Sequence, residues 1–107
     1  MSVRVKKNLP VLKRLSRLGD RAKREYVQKC DKEFVNCVSE CAKNVIKGNV
    51  LLNDRQMKNL RRKRNDLREL SSKKTSLRTK RLILQKGGFL TSLIPPVLAA
   101  LTGLLMK

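Results

Sequence analysis

The sequence predicts an all-α protein, a small helical bundle or helical hairpin of about three helices. Apolar residues recur at steps of three and four, which is the period of one face of an α-helix. No segment alternates apolar and polar residues as a half-buried strand does. Because 107 residues suffice for one small domain with a thin core, we expect self-association or packing onto a partner.

A basic N-terminal arm over residues 1–19 precedes the first predicted helix. Leucines stand at short spacing between Lys and Arg in this arm, Pro10 can open a helix, and Gly19 can end one. Two interpretations stay open, an amphipathic basic helix of one or two turns and a solvated flexible arm. A secretory signal is not expected, because no apolar core of adequate length follows the basic start.

The clearest helical pattern lies at residues 20–47. Its apolar stripe runs from Val27 to Val45 at steps of three and four. Asp20 is a suitable N-cap, and Gly48 is a suitable C-terminal stop. The segment is almost neutral, so it can pack against another helix without electrostatic penalty. We expect this amphipathic helix to mediate protein contacts, including self-association.

Three cysteines, Cys30, Cys37 and Cys41, lie on this stripe at steps of seven and four. A closed structural zinc site needs four ligands, and the chain has no His. We therefore expect small buried hydrophobic residues and no metal site. The alternative is an intermolecular disulfide across a dimer of this helix. Because three is an odd number, the thiols cannot all pair within one chain.

Two further helices, predicted at residues 54–71 and 75–86, lie in a basic helical segment that spans residues 48–88. Asn53 or Asp54 can cap the first of them. Their apolar faces are thin, and their opposite surfaces are densely cationic. This segment is therefore the predicted nucleic-acid-binding region.

The net charge of +19, from 27 Lys+Arg against 8 Asp+Glu, makes polyanion binding the expected activity. Residues 55–88 hold thirteen bases and two acids, whereas residues 25–54 hold four bases and five acids. Only Tyr26, Phe34 and Phe89 are aromatic, too few for base stacking, so we expect phosphate neutralisation. The predicted nucleic-acid-binding residues are Arg55, Lys58, Arg61, Arg62, Lys63, Arg64, Arg68, Lys73, Lys74, Arg78, Lys80, Arg81 and Lys86.

An enzyme is not expected. The chain offers no His as a general base, and its few acids are scattered among bases. Gly87 and Gly88 precede an apolar run rather than a helix start with Lys and Ser or Thr, so they do not form a phosphate-binding loop. We expect neither a cofactor nor a catalytic residue.

Residues 89–107 form an apolar tail in which the eighteen residues 89–106 carry no ionisable side chain. A helix of that length spans about 27 Å, slightly short of a hydrocarbon core of ~30 Å, and Pro95 and Pro96 should bend or break it. We expect a peptide that is buried in an assembly or inserts into a membrane on release, with a transmembrane anchor as the alternative. The residues assigned to this role are Phe89, Leu90, Leu93, Ile94, Leu98, Leu101, Leu104 and Leu105.

A basic segment that ends in Gly-Gly and continues into an apolar peptide, here FLTSLIPPVLAALTGLL, resembles the adenovirus core protein X (pre-mu) family. The arrangement also resembles small proteins of adintoviruses and Maverick/Polinton elements, and it covers residues 48–107. In that family the basic part condenses the viral double-stranded DNA inside the capsid. The resemblance therefore implies a virion core protein, located in the virion or the host nucleus, with capsid proteins as further partners.

The resemblance also implies processing by the viral cysteine protease at Gly87-Gly88, with cleavage before Phe89. That protease prefers Leu, Ile or Met three residues before the final Gly, where this sequence has Gln85. The helix at residues 20–47 is a second departure, since the short adenoviral protein lacks it. We interpret this helix as an added element for oligomerisation or capsid docking.

Two alternatives stay open for the function. In one, the protein is membrane-associated, with the tail inserted and the basic segment lying on anionic lipid. In the other, it is an RNA-binding component of a ribonucleoprotein, which composition does not separate from a DNA-packaging protein. We favour DNA over RNA because of the resemblance.

Overall fold

The computed structural model describes residues 3–86 and 88–106, with side chains described through Leu101. The described residues are 78% helix and contain no strand, which confirms the all-α class. The Cα radius of gyration, 12.6 Å, is close to the value of about 13 Å for a compact chain of this length. The helices of the described residues are α1 (Val3–Lys7), α2 (Leu9–Ser16), α3 (Asp20–Lys29), α4 (Lys32–Ile46), α5 (Asp54–Arg62), α6 (Arg64–Ser71), α7 (Leu77–Leu84) and α8 (Phe89–Met106).

The prediction of about three helices is wrong, because the described residues form eight. The helix predicted at residues 20–47 is two helices, α3 and α4, separated by a turn at Cys30-Asp31. Cys30 has extended backbone, and the Asp31 carboxylate caps α4 by accepting from the Phe34 amide at 3.0 Å. The apolar spacing continues unbroken across this turn, which is why the pattern indicated one long helix.

The other two predicted helices also differ from the structure. The helix predicted at residues 54–71 is interrupted at Lys63, where no apolar side chain continues the stripe that packs on the core. The helix predicted at residues 75–86 is shorter, and Ser76 caps it by accepting from the Thr79 amide at 3.2 Å.

The end of α4 follows the prediction, whereas the start of α3 does not. Gly48 has a φ of +78°, a left-handed conformation that favours glycine. Its amide and that of Asn49 donate to the carbonyls of Val45 and Asn44 at 3.1 and 2.9 Å, the two hydrogen bonds of a Schellman motif. Asp20, predicted to be an N-cap, instead lies in the first turn of α3.

The segment preceding α3 is helical and packs on the core. Helices α1 and α2 bury Val5, Leu12 and Leu15. Pro10 lies in the first turn of α2, where its missing amide proton removes no helical hydrogen bond. Of the two interpretations of residues 1–19, the structure therefore agrees with the amphipathic helix and not with the flexible arm.

Helix α4 lies at the centre of the fold. It packs against α1, α6, α7 and α8, and its apolar stripe is buried in these contacts. The stripe from which we predicted contacts with other proteins is thus already occupied by helices of the same chain. Self-association through this helix stays a prediction.

The apolar tail is a second central helix. Helix α8 packs against α2, α4, α5 and α7. It continues through Pro95 and Pro96, so the expected break is absent. Apolar packing on both sides of the two prolines stabilises the helix where their backbone donors are missing. Its inward side chains are at most 2% exposed, namely Phe89, Leu90, Leu93, Ile94, Val97 and Leu101.

Candidate nucleic-acid interface

Helices α5 and α6 turn their basic side chains to solvent because their leucines face inward. A capping box begins α5: the Asn53 side chain accepts from the Gln56 amide at 2.8 Å, and the Gln56 side chain accepts from the Asn53 amide at 3.1 Å. Leu60, Leu67 and Leu70 are buried in the core, where α6 packs against α4. The remaining surface of both helices is charged and polar apart from Met57, which is 40% exposed.

Nine exposed basic side chains lie on α5, α6, the turn that follows and α7, and we call this set the basic face. No carboxylate of the described residues lies within 4 Å of any of their charged nitrogens. The two exposed carboxylates on the same helices are Asp54 and Glu69. Uncompensated positive charge of this density attracts polyanions. The basic face comprises Arg55, Lys58, Arg61, Arg62, Arg64, Arg68, Lys73, Lys74 and Arg78.

The other four predicted binding residues do not belong to the basic face. Lys63 is half-buried where α5 meets α6. The ammonium of Lys86 forms an ion pair with the Asp66 carboxylate at 2.9 Å. Lys80 and Arg81 project from α7 into the fold, where both have internal hydrogen-bond acceptors. The density of bases at residues 55–86 predicts a single solvated surface, whereas one side of α7 faces the core.

Arg81 stabilises the turn between α3 and α4. Its Nη2 donates to the carbonyl oxygen of Cys30 at 2.7 Å, and Cys30 is the C-cap residue of α3. The carbonyl groups at a helix end lack partners within the helix, so a charged donor from α7 satisfies one of them. The two residues are 51 positions apart, and no local pattern indicates their contact.

Replacing Arg81 by methionine should destabilise the fold by about 1–3 kcal/mol, because the Cys30 carbonyl loses a charged donor. Chemical unfolding measures this change. Arg78→Met removes the same charge from an exposed position on the same helix and should change the unfolding free energy by less than about 0.5 kcal/mol. Equal effects of the two substitutions would contradict the structural role of Arg81.

Lys80 lies beneath α4. Its side chain is only 9% exposed, and its Nζ donates to the hydroxyl of Ser39 at 3.2 Å. The Ser39 hydroxyl in turn donates to the Val35 carbonyl at 2.8 Å. Burial lowers the pKa of the Lys80 amine, because the charged form loses hydration. Among the described residues no carboxylate lies within 4 Å of this ammonium.

The Gly-Gly sequence proposed for proteolysis joins α7 to α8. Gly87 lies outside the described residues, and Gly88 has a φ of +79°, in the left-handed region. Phe89, which follows the predicted cleavage point, is 1% exposed and begins α8. Cleavage of the folded protein at this bond would therefore require the first turn of α8 to leave the core.

No single helix of the described residues is long and apolar enough to cross a membrane. Helix α7 and the part of α8 from Phe89 to Leu101 meet the length and hydropathy requirement only together, and they are bent by 91°. Of the residues predicted for a membrane or assembly role, Phe89, Leu90, Leu93, Ile94 and Leu101 are buried, Leu98 is partly buried, and the side chains of Leu104 and Leu105 lie outside the described part.

The three cysteines are free thiols buried in the core, as their spacing on the stripe predicts. Cys37 and Cys41 lie one turn apart on α4, and the hydrogen bond between their thiols lowers the pKa of Cys37 and raises that of Cys41. None of the three is more than 8% exposed, so an intermolecular disulfide would require opening of the fold. The described residues contain no group of three or more potential metal ligands.

Sequence reasoning missed the polar contacts that fix the first turn of α8. Lys23 Nζ donates to Thr91 Oγ1 at 2.9 Å, and Thr91 Oγ1 donates to Asp20 Oδ1 at 3.0 Å. Lys23 is thus a buried structural residue. In the sequence, these contacts are indicated only by the Thr91 hydroxyl near the start of the apolar segment.

The chain matches no protein-family model, no curated protein and no solved structure. Its function must therefore be inferred from its own residues. Two features of the described residues can bind anions, namely the basic face and the buried ammonium of Lys80.

Proposed function

We propose that this protein binds and condenses nucleic acid, double-stranded DNA in preference to RNA, and catalyses no reaction. The observation that supports this function best is the basic face, whose nine charges have no carboxylate partner within 4 Å in the described residues. Six of these nine charges lie on α5 and α6, two successive helices of about 13 and 12 Å. An array of many charges on two helices suits a polymer of phosphates better than a single anion.

The composition of the basic face favours the phosphate backbone over the bases. Six of its nine members are arginines, whose planar guanidinium groups bind phosphate oxygens in pairs. The chain offers no aromatic platform for base stacking. Phe34 and Phe89 are buried, and Tyr26 packs edge-to-face on Phe34 with the ring centroids 5.0 Å apart. Such a surface supports binding that is independent of sequence.

The resemblance of residues 48–107 to the adenovirus core protein X family adds the biological setting to this proposal. It implies a role in the core of a virus or of a virus-derived element. The expected locations are the virion and the host nucleus, and capsid proteins are the expected protein partners.

A salt series tests the proposed activity. The affinity of the full-length chain for a DNA duplex of about two helical turns is measured by fluorescence anisotropy, with RNA of equal length beside it. If six to nine phosphates are contacted, log K should fall against log salt with a slope of about −5 to −8. A slope shallower than about −2, or no binding at low salt, would overturn the proposal.

A second candidate function is association with an anionic membrane. The apolar composition of α8 favours it, and so does the bent pair of α7 and α8. Since the apolar side chains of α8 are buried, insertion would require this helix to leave the core. Binding to anionic liposomes that persists at high salt would support this alternative. Liposome binding that is lost at the same salt as DNA binding would instead reflect the basic face.

A further inference from the structure

A polar pocket of about 330 Å³ opens where α1, α4, α7 and the turn after α6 meet. This volume lies within the range of known ligand clefts. Arg4, Lys43, Lys73 and Lys80 contribute four positive charges to its lining, and Glu40 contributes one negative charge. The pocket thus has an excess of positive charge in a concave site.

The ammonium of Lys80 is the buried group of this pocket. An ammonium has three donors, and one of them is directed to Ser39 Oγ. Ser39 must act as the acceptor in this contact, since its own proton is donated to the Val35 carbonyl. A buried charge with a single neutral partner is unfavourable unless an anion accompanies it.

Glu40 does not provide that anion. Its carboxylate lies 3.2 Å from Nη1 of Arg4, whose Nε is 3.3 Å from Glu33. Neither carboxylate is within 4 Å of Lys80 Nζ. Both acids pair with Arg4 at the α1 side of the pocket, and the ammonium groups at the α7 side have no carboxylate of the described residues within 4 Å.

We propose that this pocket binds a phosphate group, with Lys80 at its floor and Lys43 and Lys73 at its rim. Phosphate oxygens accept several charged hydrogen bonds at once, which matches three ammonium groups around one cavity. Lysines act on phosphate as point charges. The attraction of a bound anion offsets the hydration free energy that a buried lysine loses.

Two sources of phosphate fit the pocket. A small phosphate ester could occupy it alone. A nucleic-acid strand on the basic face could also place one backbone phosphate there, because Lys73 belongs to both surfaces. The proposed phosphate site does not depend on nucleic-acid binding, because a small phosphate ester can occupy it without contacting the basic face.

Thermal unfolding in inorganic phosphate, compared with chloride at equal ionic strength, tests the pocket. Phosphate should stabilise the wild type in a saturable manner, because it binds only the folded state. Lys80→Met should weaken the apparent phosphate affinity about 10- to 100-fold. Lys29→Met removes the same charge from an exposed position on α3, outside both the pocket and the basic face, and should retain the wild-type response. Equal stabilisation of Lys80→Met and wild type would overturn the proposal.

The rim provides a second variant that leaves the core untouched. Lys43 and Lys73 are both exposed, so the double change to glutamine should fold and should also weaken the phosphate response. If the response of this variant equals that of the wild type, the pocket is not the binding site. This measurement decides the question even if Lys80→Met does not fold.

Binding of duplex DNA to the same variants separates the two sources. A slope against log salt that is shallower by about 1 in Lys80→Met identifies the occupant as a backbone phosphate. An unchanged slope, together with the lost response to phosphate, identifies a small phosphate compound. Both results support the pocket. A wild type that responds to phosphate but does not bind DNA would overturn the proposed function and leave the pocket in place.

Discussion

A chain truncated after Gly88 is expected to be unfolded, because the deletion removes the central helix α8 and not a dispensable tail. Six side chains of α8 are at most 2% exposed. Burying one such side chain contributes about 1.5–3 kcal/mol, so their combined loss amounts to roughly 9–18 kcal/mol. A whole domain is stable by only about 5–15 kcal/mol. The deletion should therefore remove cooperative unfolding altogether.

A single substitution tests the same point with less disruption. Leu93→Asp places a carboxylate at a buried position of α8, and Ala99→Asp places it at an exposed position of the same helix. The first should unfold the protein or destabilise it by more than about 4 kcal/mol, whereas the second should change the stability by less than about 1 kcal/mol. Urea unfolding followed by circular dichroism measures both. If Leu93→Asp unfolds at the wild-type midpoint, α8 is not part of the core.

Removing three charges from the outer side of α5 is expected to weaken DNA binding strongly. Arg55, Lys58 and Arg62 follow one another at steps of three and four, so they share one side of this helix. If each contacts one phosphate, the triple change to glutamine should make the salt slope shallower by about 2.7. The affinity at low salt should fall by about 10²–10³-fold.

A matched triple variant separates the basic face from the overall charge. Lys29, Lys32 and Lys47 are exposed bases near the ends of α3 and α4. Their change to glutamine lowers the net charge by the same amount, and we expect it to reduce the affinity for DNA by less than about threefold. Anisotropy measurements over the same salt series compare the two variants. Equal losses would mean that the charge acts over the whole surface, and the basic face would lose its special role.

Local features of the fold could be predicted from the sequence. The cap at Asn53 and the stop at Gly48 depend on residues within five positions, and both are present in the structure. The turn at Asp31 could not be predicted, because the apolar spacing continues across it. The sequence pattern reports which residues are apolar, but the number of helices depends on where the backbone changes direction.

The sequence does not predict which residues are buried by segments far away in the chain. An apolar run has the same composition whether protein or lipid covers it, so α8 was predicted to be an assembly or membrane segment. Lys80 and Arg81 were assigned to a solvated surface because their acceptors, Ser39 and Cys30, are 41 and 51 positions away. The basic face, in contrast, needs no distant partner, and its exposed members follow the predicted pattern.

The packing of α8 on α2 has a consequence for how fast the protein folds. Helical proteins usually fold rapidly because most of their contacts are local in sequence. Here the core joins Leu9–Ser16 to Phe89–Met106, and Lys23 meets Thr91 across 68 positions. Closing a loop of that length carries an entropic penalty before the apolar contacts repay it. Folding should therefore be slower than that of a helical protein of equal length whose contacts are all local.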